Sequence, residues 1–171
     1  ADAAGGVDGL TGLVENNSVW LGNDPSGTTS TASNSVALGT TALDAITTGD
    51  SNVALGYNAL TANTTGYSNV AVGAGTLATN TTSFHNTAIG LDALTANTSG
   101  YSNIAIGNYA LDANTTASNN TAVGYLSLSA NTTATGLTAF GKGTLEVSTG
   151  ASNTAVGSNA LAANSTGANH T

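Results

Sequence analysis

Short apolar triplets recur along the chain, among them Val36-Ala37-Leu38, Val70-Ala71-Val72 and Thr87-Ala88-Ile89, each closed by glycine and separated from the next by a polar stretch. Taking that glycine as the anchor gives Gly22, Gly39, Gly56, Gly73, Gly90, Gly107, Gly124, Gly141 and Gly157, with seven of the eight spacings equal to 17 residues and the last equal to 16. A fixed period of this kind marks a repeat architecture and has to be read before any single element is assigned. One full unit is SNVALGYNALTANTTGY, from Ser51 to Tyr67.

Alternation within the triplet predicts a strand, with Val53 and Leu55 on one face and Ala54 on the other. The position before the anchor is apolar in all nine units: Leu21, Leu38, Leu55, Val72, Ile89, Ile106, Val123, Phe140 and Val156. That regularity predicts a core ladder. A second strand is expected around Leu43, Leu60, Leu77, Leu94, Leu111, Leu128, Leu145 and Leu161, with a small residue two positions on, as at Ala62 and Ala96. The anchor glycine and the Asn-Thr-Thr-Gly corner supply the turns between strands.

Asn63, Asn80, Asn97, Asn114, Asn131 and Asn164 occupy one place in the corner, and Asn52, Asn69, Asn86, Asn103, Asn120 and Asn153 form a second column. Parallel stacking would set amide above amide and let them hydrogen-bond along the array. Helices would be forced to hold Gly, Asn and paired Thr in their interiors, which disfavours a helical repeat. The expected fold is therefore all-β: a parallel β-solenoid, or β-roll, of about nine 17-residue coils spanning residues 16–171, after a lead-in, linker or cap at 1–15. The first coil departs from the pattern with Pro25-Ser26, and Asn169-His170-Thr171 enters a further strand, so the polypeptide is expected to continue or its end to dock on another copy.

The middle of the triplet is Trp20 and then Ala37, Ala54, Ala71, Ala88, Ala105, Ala122, Ala139 and Ala155. If the flanking positions point inward, these alanines face out as a flat strip, the expected interface of a homo-oligomer. Tyr67, Phe84 and Tyr101 share one turn position in successive coils and are candidates for stacking along the rod or for contact with a glycan. The paired Thr of the corner, as at Thr64-Thr65, gives a regular hydroxyl array similar to that of ice-binding solenoids, although neighbouring residues of a strand point to opposite sides. The sequons at Asn63, Asn80, Asn97, Asn114, Asn131 and Asn164 read as by-products of the repeated corner.

Composition narrows the functional classes. Ala (30), Thr (30), Gly (22) and Asn (21) fill most of the 171 positions, charged residues are 6%, and the net charge is −8. With one Lys or Arg in the chain there is no basic surface for nucleic acid or an anionic membrane. No Cys is present, so disulfides and thiolate metal sites are excluded, and no apolar run approaches the roughly 20 residues of a membrane-spanning helix. Nucleophile-elbow, Walker and zinc-protease motifs do not occur. His85 and His170 lie five coils apart, Asp44, Asp92, Asp112 and Glu146 are scattered, and neither a metal site nor an acid/base pair is expected. Lys142 and Glu146 sit in the coil that precedes the 16-residue spacing, where a local bulge is expected. The chain is therefore read as non-enzymatic and free of cofactors.

The segments Asn34–Gly39 (NSVALG), Asn69–Gly73 (NVAVG) and Asn86–Gly90 (NTAIG) resemble the head repeats of trimeric autotransporter adhesins. The longer cycle, with its Asn-Thr-Thr-Gly and Ala-Leu elements and the lead-in NNSVWLGNDPS from Asn16 to Ser26, is similar to repetitive tail-fibre or appendage proteins of bacteriophages. The resemblance implies a homotrimeric fibre on a virion or cell surface, with a host receptor or glycan as target. The leading expectation is a phage tail-fibre segment mediating host adhesion; a bacterial adhesin head, a self-assembling extracellular filament and an ice-binding solenoid are the alternatives.

Overall fold

The computed structural model describes residues 12–15, 17–22 and 31–171, with no side-chain description for 12–15 and 22; Pro25-Ser26 and most of the lead-in expected at 1–15 fall outside these residues. Ten strands form one sheet in sequence order: β1 (Gly12–Glu15), β2 (Ser18–Gly22), β3 (Val36–Gly39), β4 (Val53–Leu55), β5 (Val70–Val72), β6 (Thr87–Ile89), β7 (Ile104–Ile106), β8 (Thr121–Val123), β9 (Thr138–Phe140) and β10 (Thr154–Val156). From β2 onward every strand pairs in parallel with the next, each triplet lying against the equivalent triplet one coil away. The chain is a parallel β-solenoid with one coil per 17-residue repeat. At about 4.8 Å per strand, the eight steps from β2 to β10 make a rod of roughly 40 Å.

β1 runs antiparallel to β2, with Leu13 opposite Trp20, and the turn between them has Asn17 in the left-handed region (φ 59). Part of the segment expected as a lead-in therefore forms a hairpin against the first strand of the solenoid. Trp20 heads the alanine column and is 2% exposed.

The two faces of the triplet are the reverse of the expectation. Ala54, Ala71, Ala88, Ala105, Ala122 and Ala139 are fully buried, as are Ala37 and Ala155 to within 5%. Leu38, Ile89, Ile106 and Phe140 instead lie on the outside of the sheet, 37–48% exposed. The reason is the width of the coil. Leu43, Leu60, Leu77, Leu94, Leu111, Leu128 and Leu145 fill the interior with no exposure and join the alanines in one core cluster. Opposite a leucine on every coil, close packing leaves room for a methyl group and nothing larger.

Those leucines do not belong to a second strand. The stretch after each anchor is a succession of turns. The leucines themselves adopt left-handed backbone, with φ of 50–55 from Leu43 through Leu161, at a cost of order 1–2 kcal/mol each for an L-residue. Hydrogen bonding between coils holds them there: Leu60 N–H donates to the Thr76 carbonyl (3.0 Å) and Leu94 N–H to Ala110 (3.0 Å). Burial of the leucine side chain, worth roughly 1.5–3 kcal/mol, offsets the strain.

From Gly39 to Gly141 the anchor glycines are required by two constraints at once. Gly107 has φ +135, and a Cβ placed on it would lie 2.5 Å from the Gly124 carbonyl oxygen of the next coil. The 16-residue spacing arises at the corner and not as a bulge at Lys142–Glu146. Ser148 repeats the turn bond of Asn131, donating from its N–H to Leu145 as Asn131 does to Leu128. Gly150 is already level with Gly167, so the coil lacks the second corner threonine. The sheet register is kept, with Ala155 opposite Ala139.

Candidate interaction surfaces

The interior is sealed by two asparagine ladders of different design. In the corner column each Asn Nδ2 donates to the carbonyl three residues on, as Asn63 to Gly66 and Asn97 to Gly100 (both 2.9 Å). The same amides also reach the Oδ1 of the preceding coil: Asn80 to Asn63 at 2.9 Å and Asn114 to Asn97 at 3.0 Å. In the second column the Oδ1 of Asn69, Asn86 and Asn103 accepts the backbone N–H of the asparagine below, at 2.9–3.0 Å. These residues are fully buried, so Asn63, Asn80, Asn97, Asn114 and Asn131 offer no accessible acceptor for glycosylation in the folded chain.

With the interior closed to partners, any interaction has to take place on the outside of the coils. The alanines Ala37, Ala54, Ala71, Ala88, Ala105, Ala122, Ala139 and Ala155 cannot supply an interface, because the chain's own core covers them. The outer face of the sheet presents two other columns. One runs Leu21, Leu38, Leu55, Val72, Ile89, Ile106, Val123, Phe140, Val156 and is apolar throughout; the second runs Val19, Val36, Val53, Val70, Thr87, Ile104, Thr121, Thr138, Thr154. All these side chains are half-buried or exposed, up to 73% at Val156, and neither column contains a charge. Tyr57, Leu91 and Tyr125 stand exposed just beyond the anchor glycine on one flank.

The structure brings Tyr67, Phe84 and Tyr101 together on the other flank. Ring centroids are 5.0 and 5.2 Å apart with interplanar angles of 5° and 12°, and His85 meets Tyr67 and Phe84 edge-on. The rings thus cover one another's faces and turn their edges outward. In the corner, the first threonine is occupied in several coils: Thr47, Thr64, Thr98 and Thr115 donate from Oγ1 to a carbonyl of the next coil at 2.9–3.3 Å. Thr48, Thr65, Thr82, Thr116 and Thr133 remain exposed.

Ionisable groups are sparse. Asp112 has its carboxyl raised above the ordinary value, chiefly by burial and further by the nearby Asp92 charge, and its Oδ1 is buried without a hydrogen-bond partner. Among the described residues no group of three His, Cys, Asp or Glu side chains could hold a metal, and no helix is long and apolar enough to cross a membrane.

Comparison with family models, with curated proteins and with solved structures found no match. Function has to be argued from the surface alone. The outer columns were not singled out as a surface from sequence, although a signal for them existed. The enclosed position is alanine in eight successive coils, whereas the outer positions change freely in size among Val, Thr, Leu, Ile and Phe.

Proposed function

We propose that this chain is a structural segment of a fibre borne on a virion or a cell surface, self-associated as a homotrimer, whose work is mechanical: to project or hold an attachment to a host surface. The observation that carries this reading is the long, charge-free apolar face on the outside of a regular rod. A soluble monomer rarely leaves so extended an apolar strip in water. The rod suits a load-bearing role, since each coil is tied to the next by a backbone ladder, a Leu/Ala core and buried amide bonds, so stability is spread along the axis. A phage tail fibre is the first assignment, on the strength of the repeat's resemblance, and a bacterial adhesin head the second. Ice binding has less support, because the first corner hydroxyl is engaged within the rod at Thr47, Thr64, Thr98 and Thr115.

Antibodies raised against the purified chain test the reading by electron microscopy of the source cells and their phage. Decoration of an appendage supports it; antigen confined to the cell interior, with no labelled appendage, overturns it.

A further inference from the structure

We infer that the outer face of the sheet is where copies of this chain meet one another, parallel and in register, with the Leu21–Val156 column nearest the shared axis. The inference rests on the proposed self-association and adds which surface is used, in which direction and at what register.

Size and chemistry come first. Two side chains per coil, each roughly a third exposed over nine parallel strands, amount to on the order of 800 Å², comparable to what one partner contributes to a standard interface and larger than the usual apolar patch of a monomer. The face carries no charge that would have to be desolvated, and only a partner equally apolar and equally regular along the axis would match it coil for coil. A second copy is that partner.

Direction follows from the asymmetry between the two columns. The Leu21–Val156 column is apolar in every coil, as the most enclosed line of an interface should be. The other column is valine in its first four coils, Val19, Val36, Val53 and Val70, but threonine in four of the last five, at Thr87's successors Ile104, Thr121, Thr138 and Thr154 only the first being apolar, with Thr87 itself the fourth threonine. An antiparallel pair would lay the valine end of one copy against the threonine end of the other. Rotation about an axis along the rod keeps valine level with valine and threonine level with threonine, so apolar area is buried against apolar area.

The absence of cysteine makes disulfide mapping clean. Leu38→Cys and Phe140→Cys are at exposed positions near opposite ends of the face, and Thr65→Cys on the corner serves as control. Under mild oxidation Leu38→Cys and Phe140→Cys are each expected to form covalent dimers when alone, with little cross-linking of the control. Dimers that form only when the Leu38→Cys and Phe140→Cys proteins are mixed would show an antiparallel face and overturn the inference. Cross-linking of the control to the same extent, or of no variant while the oligomer persists by light scattering, would overturn it too by placing the interface elsewhere. A monomeric mass would instead bring down the proposed self-association, and the inference with it.

Discussion

Ala105 and Ile106 are neighbours in β7, yet Ala105 is sealed inside the coil and Ile106 stands 37% exposed on its outer wall. Their substitution effects should separate accordingly. Ala105→Leu would force a larger side chain against the leucine column and should destabilise the fold by about 1–3 kcal/mol or more, read by chemical denaturation. Ile106→Thr should keep the circular dichroism spectrum and weaken self-association.

Gly107 tests with one methyl group how closely successive coils approach. In Gly107→Ala the new Cβ would meet the Gly124 carbonyl, and φ +135 is unfavourable for alanine. A loss of at least about 1–3 kcal/mol is expected from the strain alone, measured as a lower denaturation midpoint. A midpoint within error of the parent would mean that the coils can move apart without cost.

Asn97 tests whether the amide ladder stabilises the rod or merely fits inside it. Its Nδ2 donates to the Gly100 carbonyl at 2.9 Å and its Oδ1 accepts from Asn114 at 3.0 Å. In Asn97→Ala the Gly100 carbonyl keeps its bond from Asn86 Nδ2 and the Asn114 amide keeps its bond to the Ala117 carbonyl, so the expected loss is that of the bonds themselves, roughly 0.5–1.5 kcal/mol each, read by chemical denaturation. The exposed Thr116→Ala, one corner away, should stay within about 0.5 kcal/mol of the parent.

Asp112 predicts a pH dependence. Its folded-state pKa is raised, so the folded chain favours the protonated carboxyl more than the unfolded chain does. Its contribution is fully present below the unfolded value, near 3.8, and is lost as pH rises through the higher folded value. Asp112→Asn should therefore be more stable relative to the parent at pH 7 than at pH 3, in denaturation curves at the two pH values. A constant difference across that range would show that the carboxyl is not desolvated.

The period, the coil count, the parallel stacking and the amide columns were legible in the sequence because a fixed period puts like residues above like. The inner and outer faces were not. Bulk marks Leu55 and Ile89 as core positions, but the space opposite Leu60 and Leu94 admits only the methyl groups of Ala54 and Ala88. The expected second strand is a run of turns for a related reason: no propensity argument places leucine in left-handed backbone, and Leu60 is held there by its bond to Thr76 on the next coil. The uniformity of the alanine column was the better guide, since a position enclosed on every side tolerates one size.

The central claim is that the apolar outer face is covered by further copies of the chain. Light scattering of the purified protein at several concentrations tests it most directly. The account predicts a stable mass of three protomers across the series; a single protomer at every concentration would contradict it.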